Sequence, residues 1–197
     1  MSGTYPTDPA PRDVSLRSVQ PTLVSTAHSL QQQVRSRGAQ RWAIRLDYPA
    51  LTRAQWAPLF AFALAQRGQY ETFTLALPVL TTPQGTWAGS PAVKGAGQTG
   101  RSVAVDGFTA GATVKAGDLC QFAGDAKVYM VTADATADGA GEATLAIEPA
   151  LQATPADDAA VASSTAVFTV AFASDVREAT MVPGKILALT VDLVERV

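Results

Sequence analysis

The chain has 197 residues, a net charge of −2, 47% hydrophobic and 16% charged residues, one histidine (His28), one cysteine (Cys120) and no asparagine. A single thiol excludes an intramolecular disulfide framework. One His with one Cys excludes the usual tetrahedral zinc sites, and the lack of Asn excludes N-glycosylation and a Cys-His-Asn triad. Near-neutral charge argues against a general nucleic-acid binder. The longest apolar stretch, residues 56–65, is far shorter than the ~20 residues of a membrane-crossing helix, so no membrane insertion is expected. The N-terminus lacks the basic-then-apolar pattern of a signal peptide, which predicts synthesis in the cytoplasm.

The first twenty residues, with Pro6, Pro9, Pro11 and Pro21 at hand, read as an extended arm over 1–20. Residues 23–37 are polar and β-compatible, and the turn Ser36-Arg37-Gly38-Ala39-Gln40 follows. Trp42, Ile44, Leu46 and Tyr48 then alternate with Arg41, Ala43, Arg45 and Asp47, the period of a half-buried strand. Pairing of 23–37 with this strand as a hairpin would gather Arg35, Arg37, Arg41 and Arg45 into a basic ribbon, the candidate interface. A helix is predicted over 53–67. Thr52 and Gln55 form a capping box, Trp56, Leu59, Phe60, Ala63 and Leu64 make an apolar stripe, and Gly68 is the left-handed stop. Pro58 kinks its first turns or delays its start. Another strand, 71–77, alternates Phe73, Leu75 and Leu77.

From 78 to 94 the texture changes to Thr, Pro, Gly and Ser, a crossing into a separate unit. Short strands at 101–106, 112–115, 119–123, 127–133 and 143–148, punctuated by Gly and Asp about every ten residues, predict a small all-β barrel. Strands resume at 166–173, with Phe168, Val170 and Phe172 on one face, and at 185–194, with Leu187, Leu189, Val191 and Leu193. The expected domains are therefore 21–92 with 166–197, interrupted by an insert at 93–165. Charge divides the same way: residues 1–69 hold eight arginines against three aspartates, a net of +5, whereas 95–165 carry a net of −6.

Candidate chemistry resolves into structural readings. Gly95-Ala96-Gly97-Gln98-Thr99-Gly100 is a G-x-G-x-x-G, but a strand follows it and no βαβ unit can be drawn. Cys120 sits in a predicted strand and His28 in another unit, so no nucleophile–base pair forms. Asp134, Asp138 and Glu142 lack the alternate-oxygen spacing of a calcium loop. No catalytic residue, cofactor site or metal site is assigned.

Several stretches resemble the tail proteins of long, non-contractile-tailed bacteriophages, specifically distal tail proteins. They are residues 36–42 (SRGAQRW), 51–59 (LTRAQWAPL) on to 66–73 (QRGQYETF), 95–102 (GAGQTGRS) with Asp106-Gly107-Phe108, and the run from Lys115-Ala116-Gly117-Asp118 through Phe122-Ala123-Gly124 and Lys127-Val128-Tyr129 to Glu148-Pro149-Ala150-Leu151. The resemblance implies a mainly β fold: a β-sandwich with one helix, carrying an inserted small OB-like barrel. It implies a structural virion protein rather than an enzyme, a homo-hexameric ring at the tip of the tail tube that joins the tube protein to the hub and receptor-binding apparatus. DNA would pass through its lumen without specific binding. A carbohydrate-binding module gripping host glycans through barrel aromatics (Phe108, Phe122, Tyr129) is the alternative.

Overall fold

The computed structural model describes residues 3–176, 178, 181–182, 185–186 and 189–197. They form two compact units, 1–74 with 169–197 and 75–168. The chain is mainly β, as expected. The expected crossing after residue 92 falls later than the structural one, because the strand Gly89–Val93 pairs with Ser102–Phe108.

The first unit is built on a five-stranded sheet in the order Asp13–Val19, Arg41–Asp47, Thr190–Glu195, Phe168–Phe172, Phe73–Leu75. The alternation of residues 41–48 sets its inner face: Trp42, Ile44, Leu46 and Tyr48 are all buried. Antiparallel register places Leu16 and Leu193 on either side of Ile44, and Val14 and Val191 on either side of Leu46. Of the expected 185–194 strand, Leu187 lies outside the described residues, and Leu189 precedes the observed strand. Where a two-sheet sandwich was expected, the described residues of this unit show this single large sheet with a helix against it.

Two expectations are corrected here. Residues 23–37 do not pair with 41–48. The strand Thr22–Thr26 instead pairs with Gln32–Ser36, and Arg41–Asp47 takes Asp13–Val19 as its neighbour. Residues 13–47 thus make one long hairpin with a break. Between the pairs Val19–Arg41 and Thr22–Ser36, two residues on one strand face four on the other. Pro21 has no N–H to give the ladder, and Gly38 (φ +75°) absorbs the extra length. Nor is 1–20 a free arm. Residues 13–19 are an edge strand, and Tyr5 is buried, its N–H donating to the Thr74 carbonyl (2.8 Å) and its ring packing on Phe73 and Phe62.

The helix spans Arg53–Ala65, capped reciprocally by Thr52 and Gln55, with Pro58 inside it. Its buried stripe is Leu59, Ala63 and Gln66, flanked by Phe62 edge-on to Phe73. The predicted stripe was rotated from this: Trp56 and Phe60 stack on each other half-buried (centroids 4.4 Å), and Leu64 is 56% exposed. No charged side chain occurs from 54 to 66, so periodicity alone offers two apolar faces. The aromatic cluster of Tyr5, Phe62 and Phe73 selects between them. No helix among the described residues is long and apolar enough to cross a membrane.

The second unit is a six-stranded barrel-like sheet, ordered Val161–Ala162, Leu119–Phe122, Tyr129–Val131, Ala143–Glu148, Ser102–Phe108, Gly89–Val93. Its two end strands meet: Ala92 bridges Ala160, the Val93 N–H donates to Ala159 (2.9 Å) and the Asp158 N–H to Val93 (3.0 Å). Val93, Val103, Val105, Phe122, Tyr129, Leu145 and Ile147 fill the interior, each 1% exposed or less. Closure leaves few unpaired strand edges.

Candidate assembly surface

The residues that could carry chemistry are occupied locally. In the Gly-rich loop, Gln98 sutures the chain to its own strand. Its amide nitrogen donates to the carbonyls of Lys94 (2.7 Å) and Ala104 (3.0 Å), while its oxygen accepts from the Ala104 N–H (2.7 Å). The Gly95 N–H donates to Asp157 (2.6 Å), and a strand rather than a helix follows, so the loop lacks the helix N-terminus on which a dinucleotide fingerprint relies. Cys120 is fully buried, and burial, with the charge of Asp118, pushes its thiol up to about 12. Such a thiol is inert at neutral pH. Asp134 accepts from the Ala116 N–H (2.9 Å) and the Lys115 ammonium (2.7 Å). Asp138 closes a turn through the N–H groups of Ala140 and Glu142 (both 2.9 Å), and Glu142 pairs with Lys94. Among the described residues no group of three His, Cys, Asp or Glu side chains could hold a metal ion.

Asp118 is the most heavily used carboxylate of the barrel, and sequence reading missed it. It is buried and accepts four donors: the N–H groups of Gln84 (2.6 Å), Gly85 (3.1 Å) and Lys115 (2.9 Å) and the indole Nε1–H of Trp87 (2.8 Å). Burial raises its proton affinity, but the four donors outweigh it and hold the carboxyl below its ordinary value. The site ties residues 84–87 to the turn at 115–118. It holds Trp87 at φ +43°, a backbone region that a bulky residue rarely enters. A Gly117-Asp118 turn signal is visible in sequence; its long-range donors are not.

The barrel aromatics Trp87, Phe108, Phe122 and Tyr129 are all buried. They make the core rather than a sugar-stacking platform.

The four arginines predicted as one ribbon fall into two places. Arg35 lies in the strand Gln32–Ser36 opposite Leu23, and Arg37 follows that strand, its N–H bonded to the Pro21 carbonyl (3.2 Å). Arg41 and Arg45 lie on the outward face of the main sheet. Arg45 is spent on a two-pronged pair with Asp192 (2.7 and 3.0 Å). What the structure brings together instead is an exposed ribbon, 22–36. Every strand residue in it is exposed, including Leu23 (47%), Val24 (56%) and Val34 (64%), with Leu30 at its tip (82%). Such isolated two-stranded ribbons are marginal in water.

Residues 81–165 match the family described as distal tail protein pb9, B domain. The match supports a phage distal tail protein. It covers the barrel and the Asp118-anchored segment before it, so the matched region of this chain is the part with the closed core. No curated protein matches the chain. A distal tail protein is a component of the virion tail, and the family points to a structural rather than an enzymatic role.

Proposed function

We propose that this distal tail protein is a ring-forming adaptor at the tip of the tail tube, a homo-hexamer joining the tube protein to the hub and receptor-binding apparatus. The match of residues 81–165 to a distal tail B domain carries this reading. Physical support comes from the first unit, whose ribbon leaves Leu23, Val24, Leu30 and Val34 exposed, side chains of the kind a subunit buries on assembly. A net charge of −2 suits a lumen that passes DNA without retaining it, since strong binding rests on neutralising many phosphates. Assembly would take place in the host cytoplasm. The unit 75–168, rather than the expected insert at 93–165, would be the barrel module of that adaptor. The glycan-binding alternative needs exposed aromatics, and those of the barrel are buried. Negative-stain images of the purified protein, alone and mixed with the tube protein, are expected to show six-fold rings. A monomer under both conditions, with measurable glycan affinity, would overturn the adaptor reading.

A further inference from the structure

We infer that the open edge strand Asp13–Val19 pairs antiparallel with the same strand of a second copy, continuing the five-stranded sheet of one chain into that of the other. This association goes beyond the ring and does not depend on it. The two edges of the sheet are finished differently. At Phe73–Leu75 the outer side is capped by residues 3–5: Thr4 bridges Thr74, the Thr74 N–H donates to Gly3 (3.0 Å) and the Tyr5 N–H to Thr74 (2.8 Å). At Asp13–Val19 no strand among the described residues pairs with the far side. Its seven residues hold no Pro, no Lys and no break in register against Arg41–Asp47, so the usual guards of a sheet edge are missing. The core also stops short there. Val14 and Leu16 are only half-buried, whereas their cross-strand neighbours Leu46 and Ile44 are 1% and 2% exposed.

The run Asp13-Val14-Ser15-Leu16-Arg17 makes a second copy the fitting occupant, because it is complementary to itself. Antiparallel pairing about a two-fold axis at Ser15 sets Asp13 opposite Arg17 of the second copy, twice over, on the exposed outward face. It sets Val14 opposite Leu16 on the inner face, covering both. The attraction thus acts between residues in the contact itself. Like charges along the edge would repel a copy; this opposite pair recruits one. Arg12 Nε donates to Asp13 (2.7 Å), so each carboxylate would lie between two guanidinium groups. A slip of one residue would set outward positions against inward ones and lose both matches. Pro11 and Pro21 bound the ladder, because neither has an N–H to give it. A two-fold contact closes on itself, so it joins two chains and builds no ring.

Charge exchange in the full-length chain tests the pairing by analytical ultracentrifugation. Arg17→Asp and Asp13→Arg each place like charges opposite one another twice and should weaken self-association about tenfold. Mixing the two variants should restore the dimer, now a mixed one, because every opposed pair is again of opposite sign. Register is read by oxidation. Ser15→Cys lies against its own copy across the axis, whereas the two thiols of Val19→Cys would lie about 27 Å apart along the strands. Cys120 is buried and does not compete. The paired thiols sit at an effective concentration near millimolar, so Ser15→Cys should yield about tenfold more covalent dimer than Val19→Cys. Equal yields, or a mixture no more dimeric than its components, would overturn the pairing. A wild-type chain monomeric at every concentration, with Ser15→Cys not cross-linked, would overturn it too and leave the edge to a strand of another protein. Rings in the micrographs beside that result would leave the adaptor reading standing, and cross-linked dimers without rings would support the edge pairing alone.

Discussion

The two units manage apolar surface in opposite ways. Of the ten large apolar side chains exposed among the described residues, nine belong to the first unit and only Val79 to the second. The barrel closes its sheet, buries its aromatics and engages Asp118, Asp134 and Asp138 in local hydrogen bonds. The first unit ends its sheet in an open edge strand and extends a ribbon with no core of its own. The barrel covers its own apolar surface, whereas the sheet unit leaves most of the exposed large apolar side chains uncovered.

This contrast can be broken most severely in the barrel core. Phe122 is 1% exposed and packs against Tyr129 (centroids 5.4 Å). Phe122→Ala is expected to cost about 3–5 kcal/mol in chemical denaturation, because the cavity cannot collapse within a closed sheet. A loss below about 1 kcal/mol would show that the barrel is looser than its burial implies.

Next in size is Asp118→Ala, which strands four N–H donors and is expected to destabilise by about 3 kcal/mol. Its pH dependence has a definite sign. The folded carboxyl lies below its ordinary value, so its contribution is full above the unfolded value of about 4 and is lost as pH falls through the folded one. Wild-type melting temperature should therefore drop in acid more steeply than that of Asp118→Asn. Parallel curves would place the acid sensitivity elsewhere.

The smallest expected effect on stability is at the ribbon. Val34→Ser removes an apolar side chain that is 64% exposed, so the subunit itself should change by less than about 0.5 kcal/mol, yet ring yield should fall. Equal loss of folding and assembly would mean that Val34 belongs to a core rather than to an interface.

Legibility in the sequence followed the range of the forces involved. The strand Arg41–Asp47, the capping box of the helix and the barrel's Gly- and Asp-marked turns are written in neighbouring residues, and they appear in the fold within a few residues of expectation. The pairing of 22–26 with 32–36 was not legible, because 23–37 is compatible with either partner and only Asp13–Val19, already seated beside Arg41–Asp47, excludes the alternative. Arg45 read as part of a basic surface, since its partner Asp192 lies 147 residues away.

Composition and period alone thus determined that the chain is mainly β with one capped helix. Tertiary structure decided which helix face turns inward, which strands adjoin, that Asp118 anchors a remote segment, and that residues 22–36 stand clear of any core. Those outcomes depend on which surfaces compete for the same neighbour. A local pattern states what a segment can bury, and only the folded chain states what is left uncovered.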